Sequence, residues 1–349
     1  MTSDRAEAST KNQQQRPPKT VMSGMRPTGR LHLGHYMGVL KNWVSLQPQY
    51  DCYFMVADWH ALTTKYDDTA YLQENVYEMT LDWLASGVDP NVSTLYVQSA
   101  IPEIAELHLL LSMVTPNKWV ETDPTLKDMV AMLHEDLTYG LLGYPILQTS
   151  DILAVLGDLV PVGKDQVAHL EISRDIARRF NHLFETDLFP QPKPLLTETP
   201  MLLGLDGRKM GKSYNNAIFL ADTEDETWQK LRTAITDPAR IKKDDPGDPA
   251  KCEVVYPYYQ TFASNGAIEL AAKECREAAR GCVDCKKILN EFVIEELKPL
   301  RERRTEYAKD RAQVEKILRE GCEKSRAVAQ NTLKQIRAAM RLYQSPALV

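Results

Sequence analysis

Between Thr20 and Val44 the chain passes from a short apolar run, through the turn-forming Arg26-Pro27-Thr28-Gly29, into apolar residues at helical spacing from Leu33 onward. A strand that hands over to a helix through a Gly-containing turn is the opening unit of an α/β fold. The alternation continues. Cys52–Ala57 and Ser93–Gln98 read as strands, and Thr69–Ser86 reads as an amphipathic helix closed by Gly87. Helices are expected over Pro102–Val114 and Leu126–His134, followed by a long apolar stretch from Leu137 to Leu156. A short strand at Leu159–Val162 and a helix over Asp165–Asn181 complete the pattern. Such alternation predicts a parallel, Rossmann-type sheet with helices on both faces and ligands at the carboxyl ends of the strands.

Beyond about Asp222 only helical patterns remain, over Glu224–Ile235, Gly266–Arg280, Lys287–Tyr307 and Ala312–Tyr343. At 349 residues the chain exceeds what one core usually serves, so the change of pattern marks a domain boundary. The expected organisation is a disordered Gln- and Pro-containing tail over 1–18, an α/β domain over 19–220 and an all-helical domain over 221–325. A last helix within 326–349 is expected to pack back on the α/β domain.

The first turn runs directly into His32-Leu33-Gly34-His35. Backbone N–H groups and the positive end of a helix dipole favour a phosphate at such a turn. Gly34 allows close approach, and the two imidazoles can donate to phosphate oxygens. Far downstream, Lys209-Met210-Gly211-Lys212-Ser213 lies in a loop over Gly204–Asn216 and adds two cations and a hydroxyl. That set suits a polyphosphate whose charge shifts during reaction. Either string alone is weak, because a histidine at a helix start is often a cap and a basic loop is often only solvated. Their joint occurrence in this order, with βα units between them, resembles the class I aminoacyl-tRNA synthetases.

Charge and hydropathy agree with that reading. Hydrophobic residues make up 43% and charged residues 26%, ordinary proportions for a globular protein. No apolar run is long enough to span a bilayer and no signal-like stretch opens the chain, so the cytoplasm is the expected location and no membrane partner is expected. The net charge of −6 argues against a nucleic-acid partner, but Leu300–Val349 carries twelve Lys or Arg against six Asp or Glu. A basic end on an acidic body can receive a phosphate backbone locally.

Within the synthetases, Val160-Pro161-Val162-Gly163-Lys164-Asp165-Gln166, followed by His169-Leu170-Glu171 and Arg174-Asp175, resembles the middle signature of the tryptophanyl-tRNA synthetases. The resemblance runs from about Val21 to Leu220 and more weakly through the helical region. It implies a Rossmann domain with a helical anticodon-binding domain, usually in a homodimer. It also implies activation of L-tryptophan by ATP with Mg²⁺, then transfer to tRNA(Trp). Indole offers only an N–H donor, so its pocket needs an acceptor in an apolar slot. The resemblance places Asp151 there. Gln148 instead matches the Tyr-x3-Gln-x2-Asp spacing typical of tyrosyl enzymes, the sister family. Tyrosyl enzymes, however, carry a tyrosine where this chain has Met22, and a site built around a hydroxyl rejects an analogue without it by ~10⁴ or more.

Other roles follow from the same resemblance. Gly24 lies beneath the amino acid and His60 forms a pocket wall. Tyr144 and Gln166 hold the α-amino group, and Val160 and Val162 line the indole slot. For ATP, Arg26, Pro27, Thr28 and Gly34 flank the phosphates, Gly163, Lys164 and Asp165 meet the ribose, and Met201, Leu202 and Met210 frame adenine. His32, His35, Lys209, Lys212 and Ser213 carry the catalytic contacts, with Gly211 replacing the family's usual serine. Lys127 is the nearest match to a further family lysine.

The spacing of Cys252, Cys275, Cys282 and Cys285 is C-x22-C-x6-C-x2-C. In a cytosolic chain such thiols point to metal, and spacing alone leaves zinc and a [4Fe–4S] cluster open. A subset of tryptophanyl enzymes resembles this chain in that spacing and carries the iron–sulfur cluster. Other readings remain at this level. A tyrosyl enzyme shares both opening strings, a small-molecule adenylyltransferase shares the first, and a paralogue could bind tryptophan and ATP in a non-translational role.

Overall fold

The computed structural model describes residues 18–122, 137–163, 167–196 and 202–343. Five strands form one parallel sheet: β1 (Thr20–Met25), β2 (Asp51–Val56), β3 (Ser93–Val97), β4 (Leu159–Val162) and β5 (Lys193–Leu196), in spatial order β3-β2-β1-β4-β5. The chain winds outward from β1 in one direction and then returns to continue in the other. The order therefore reverses between β1 and β4, where doubly wound sheets bind ligands. This is the parallel α/β sheet expected from the alternation, and the region beyond the sheet is helical.

Burial follows the two-residue period of a strand. From the interior strand β2, Cys52 and Phe54 enter the core on one face and Tyr53 and Met55 the core on the other. On the first face Trp43 stacks on Phe54 at 4.3 Å and meets Trp83 edge-on at 5.0 Å. Phe180, Ile104 and Tyr96 fill the second. The helix Pro102–Val114 has its proline in the first turn, where no N–H is lost to the helix. The helix Leu72–Ala85 ends because Gly87 takes φ +102°, letting Val88 N–H turn back to the Trp83 carbonyl.

The helical portion opens at Glu224–Leu231, capped reciprocally by Thr223 and Glu226. It continues through Val255–Phe262, Asn265–Arg276 and the 27-residue helix Cys282–Ala308. The last helix, Arg311–Ala339, runs unbroken through residue 325, where a boundary was expected, and lies along the edge strand β3. Arg326 pairs with Glu103 at 3.0 Å and Arg337 with Glu106 at 2.6 Å. The helix can lie this close only because residue 321 is glycine. A Cβ there would stand 1.9 Å from the Leu95 carbonyl oxygen. The close contact covers the sheet's open edge.

Replacing Gly321 by valine should push the helix off β3. The expected cost is about 1–3 kcal/mol from overpacking, read as a lower urea midpoint with an unchanged slope.

Candidate functional site

β1 and β4 pair at Val21 and Leu159. Beyond that pair a cavity of about 510 Å³ opens between their carboxyl ends. Met22 and Gly24 line it from β1, and Val160, Val162 and Gly163 from β4 and its following turn. Tyr144, Gln148 and Asp151 reach it from the helix Tyr144–Ala154, where steps of four and three residues place them on one face. His60, Arg26 and His35 complete the wall. Candidates scattered over more than a hundred residues of sequence thus share one cavity. Lys127, Lys164, Asp165, Gln166 and Met201 lie outside the described residues.

At the cavity floor Asp151 is 1% exposed and both its oxygens are held. His60 Nε2–H donates to Oδ2 at 2.8 Å, and the side-chain amide of Gln98 donates to Oδ1 at 2.8 Å. Burial raises the Asp151 pKa, and the hydrogen bonds from His60 and Gln98 act against that rise. Gln98 is itself fully buried, and its Oε1 accepts the backbone N–H groups of Trp59 at 3.0 Å and His60 at 3.3 Å. A carboxylate in an apolar slot is costly unless paired in this way. Met22, Val160 and Ile152 supply the apolar surroundings.

The two opening motifs meet through backbone pairing. Leu33 N–H donates to the Ile218 carbonyl at 3.0 Å, and Leu220 N–H donates to the Leu31 carbonyl at 2.9 Å. His32 sits opposite Phe219 in this short antiparallel bridge. Leu31 is held on its other side by Asp82, whose Oδ2 accepts its N–H at 3.1 Å while Oδ1 accepts Arg304 Nε at 2.7 Å. The helix Cys282–Ala308 is thereby pinned to the histidine-bearing turn. Just after the histidines the helix contains a π-helical turn, Tyr36–Leu40, a distortion that recurs at functional sites.

The rings of His32 and His35 meet at a tilt of 37°, with centroids 3.8 Å apart. The His32 backbone N–H donates to His35 Nδ1 at 3.2 Å, which leaves the His35 ring proton on Nε2. Burial, with Lys212 as the second cause, lowers the His32 pKa to about 4. Burial first, then His32 and Lys212, lowers that of His35 to about 3. Both rings are therefore neutral at pH 7 and act as dipolar donors. His32 Nδ1 is buried with no partner among the described residues. A Cβ at Gly34 would meet the His32 ring at 3.1 Å, so the glycine keeps that approach open.

Charge comes instead from the second loop. Lys212 Nζ lies 3.5 Å from Thr28 Oγ1, against the Gly29 turn, whose φ is +115°. Burial lowers the Lys212 pKa to about 8, and the Asp82 carboxylate opposes that fall. Lys209 and Ser213 are exposed, and Leu202 and Met210 are buried behind them, with Met210 Sδ close to Gly34. Pro27 is buried beneath the turn. Gly211 has extended backbone, φ −164°, which a serine also adopts, so its main difference is the missing hydroxyl.

A residue missed in the sequence organises this loop. Asn216 is 2% exposed; its amide donates to Asp206 Oδ1 at 2.7 Å and to the Lys209 carbonyl at 3.2 Å, while its oxygen accepts Gly211 N–H at 2.9 Å. Gly204 makes room, since a Cβ there would stand 2.2 Å from the Asn216 amide. Gln98 and Asp82 were also missed. Gln98 did carry a signal, a polar residue at the carboxyl end of an expected strand. Asp82 lies in the middle of an amphipathic helix and carried none.

The four candidate metal-binding thiols share a second, smaller cavity of about 30 Å³, with Arg240 and Arg280 in its wall. Arg240 Nη1 lies 4.0 Å from Cys275 Sγ and 3.9 Å from Cys282 Sγ. Burial raises the pKa values of Cys252, Cys275 and Cys285. The arginines favour the thiolate at Cys275 and Cys285. Among the described residues, no three Cys, His, Asp or Glu side chains are grouped closely enough to hold one metal ion.

The family pattern described as tRNA synthetases class I (W and Y) matches residues 13–298. The tryptophan–tRNA ligase of Thermotoga maritima is 45% identical over 326 residues, covering 92% of this chain and 99% of that protein. That of Aquifex aeolicus is 40% identical, covering 92% and 99%. The crystal structure of tryptophanyl-tRNA synthetase from Campylobacter jejuni, complexed with ADP and tryptophan, superposes with a TM-score of 0.84 at 31% identity, covering 93% of this chain and all of that one.

Removing the Asn216 clamp by an alanine substitution should free the Lys209–Ser213 loop. Trypsin should then cut at Lys209 and Lys212 roughly tenfold faster, the factor that corresponds to about 1.4 kcal/mol. A global melting temperature that barely moves would show that the effect is confined to the loop.

Proposed function

Because this chain belongs to the class I tRNA synthetases for tryptophan and tyrosine, we propose that the cavity between β1 and β4 performs the reaction of a tryptophan–tRNA ligase. L-tryptophan reacts with ATP to give tryptophanyl-adenylate and pyrophosphate, and the tryptophanyl group is then transferred to tRNA(Trp). The observation that carries the choice of amino acid is Asp151, a paired carboxylate at the end of an apolar slot. It accepts the indole N–H, while Met22, Val160 and Val162 cover the ring. Met22 offers no hydroxyl to a phenol. Tyr144 and Gln148, on the same helix face, lie beside the amino-acid end, with Gln166 as a further ligand.

The chemistry requires no protein nucleophile. A carboxylate oxygen of tryptophan attacks the α-phosphorus of MgATP, forming one P–O bond as the bond to the departing pyrophosphate breaks. Catalysis is alignment plus stabilisation of charge that develops on phosphate oxygens. His32 and His35, neutral at pH 7, donate N–H groups there without adding charge. Lys212 follows the leaving pyrophosphate as a cation, joined by Lys209 and Ser213 from the same loop. Arg26 and Thr28 border the phosphate path, and Gly163, Lys164 and Asp165 meet the ribose. Adenine lies against Met201, Leu202 and Met210. In the second step a ribose hydroxyl at the tRNA 3′ end attacks the activated carbonyl, and AMP leaves.

The helical region over 221–325 is assigned to the anticodon arm, with Cys252, Cys275, Cys282 and Cys285 holding a [4Fe–4S] cluster. Four thiols around one cavity with two arginines beside them are a donor set that suits a tetrathiolate group. When bound, the cluster supplies a covalent staple between the helices Asn265–Arg276 and Cys282–Ala308. A homodimer is assigned, with Tyr66, Leu109, Met113 and Tyr139 among the large hydrophobic side chains left exposed. No helix among the described residues is long and apolar enough to cross a membrane, and the assigned location is the cytoplasm.

Three measurements test this reading. Asp151→Asn should raise KM for tryptophan in ATP–pyrophosphate exchange by about 10- to 100-fold, the loss expected for a hydrogen bond to a charged group. Exchange driven by tyrosine and not by tryptophan would overturn the assignment. The active Lys212 is protonated, so kcat/KM for ATP should fall as pH rises through about 8, and Lys212→Arg should remove that fall. Anaerobically purified protein should contain iron and acid-labile sulfide in equal amounts, both lost in Cys282→Ser.

A further inference from the structure

We propose that Gln98 is a specificity-determining positioning residue, which holds the Asp151 carboxylate as an acceptor matched to a ring N–H. The inference rests on the reading that Asp151 receives the indole N–H. Gln98 stands at the carboxyl end of β3, in the turn Gln98–Ala100, and is fully buried. Its amide has a single workable orientation. The N–H groups of Trp59 and His60 both donate to Oε1, at 3.0 and 3.3 Å, and Trp59 N–H is shared with Asp58 Oδ1 at 3.1 Å. That leaves the amide N–H₂ facing Asp151 Oδ1 at 2.8 Å, while His60 holds Oδ2.

Two consequences follow for the ligand. The carboxylate plane is fixed by donors on both oxygens, and each oxygen keeps a lone pair for an incoming donor. The His60 Nε2–H and one amide N–H of Gln98 are already committed to Asp151 at this end of the slot, so neither of those two is left to serve an acceptor. A donor-only ring N–H is matched there. A phenol, whose oxygen also needs a donor, is left partly unpaired, and an unpaired buried polar group is where large discrimination arises.

Gln98→Glu separates this role from simple packing. Glutamate keeps the shape and keeps an oxygen for Trp59 and His60, but replaces the donor to Asp151 by a second carboxyl group. Carboxyl groups this close share one proton. The other groups facing Asp151 are His60 and Asp58 from the helix Asp58–Lys65 and Tyr96 from β3. All three are present in the parent protein, which therefore serves as the reference at every pH. In exchange assays the variant should show KM for tryptophan raised at least about tenfold near pH 8, falling back toward the parent's value near pH 6 as the shared proton returns. KM for ATP should stay within about twofold of the parent's. Gln98→Met, which removes both functions of the amide, should lower the preference for tryptophan over tyrosine about tenfold at any pH.

An unchanged KM for tryptophan in Gln98→Glu, or an equal pH-independent loss in both KM values and kcat, overturns the proposal. If Gln98→Glu does not fold, Gln98→Asn, which falls short of Asp151 by one methylene, must show the same split between the two KM values, and its absence overturns the proposal equally. A failure of the underlying reading looks different: Asp151→Asn then leaves KM for tryptophan unaltered in the parent background.

Discussion

The short antiparallel pairing of Leu31–Leu33 with Ile218–Leu220 is the contact on which the site depends. Two backbone hydrogen bonds join segments far apart in the chain and set the histidine-bearing turn against the base of the lysine loop. The residues assigned to phosphate are arranged around that seam. Asp82 secures its outer side by accepting the Leu31 N–H, and Arg304 neutralises the buried carboxylate from the helix Cys282–Ala308. Asn216 then folds the lysine loop back over the seam, so that Lys212 reaches Thr28.

Burial decides how the charges are distributed around this seam. Two histidines in contact, partly removed from water and close to a lysine, each keep one ring proton and stay neutral at pH 7. Their contribution is directional hydrogen bonding. The lysine, less constrained and supported by Asp82, remains largely cationic with a pKa of about 8. In the proposed reaction this division is useful, because directional donors suit the reacting phosphate and a cation suits the leaving pyrophosphate.

The amino-acid slot uses a different economy. Its single buried carboxylate is surrounded by apolar walls and held by two donors, one from each neighbouring element. Because Gln98 also caps the start of the helix Asp58–Lys65, the orientation of Asp151 is tied to the packing of that helix against β3. Recognition at the slot is therefore built into the framework of the sheet.

Local pattern was enough to place much of the framework. The helix Pro102–Val114 and the strand Leu159–Val162 have the expected ends, because a proline starts the first and the apolar run is short in the second. β5 went unread, since Lys193–Leu196 has only four residues with prolines at 192 and 194, and so did Val255–Phe262, which contains Pro257. The reaction class was likewise legible, because phosphate chemistry needs particular residue types within a few positions of one another. The sequence by itself determined the alternating α/β framework, the two strings assigned to phosphate and the cysteine spacing, all of which depend on neighbours along the chain. Only the tertiary structure decided that the histidines are neutral, that Asn216 and Asp82 hold the loops, that Gln98 orients Asp151 and that Gly321 lets the last helix seal β3. Those properties arise from burial and from contacts between distant segments, which periodicity along a chain does not encode.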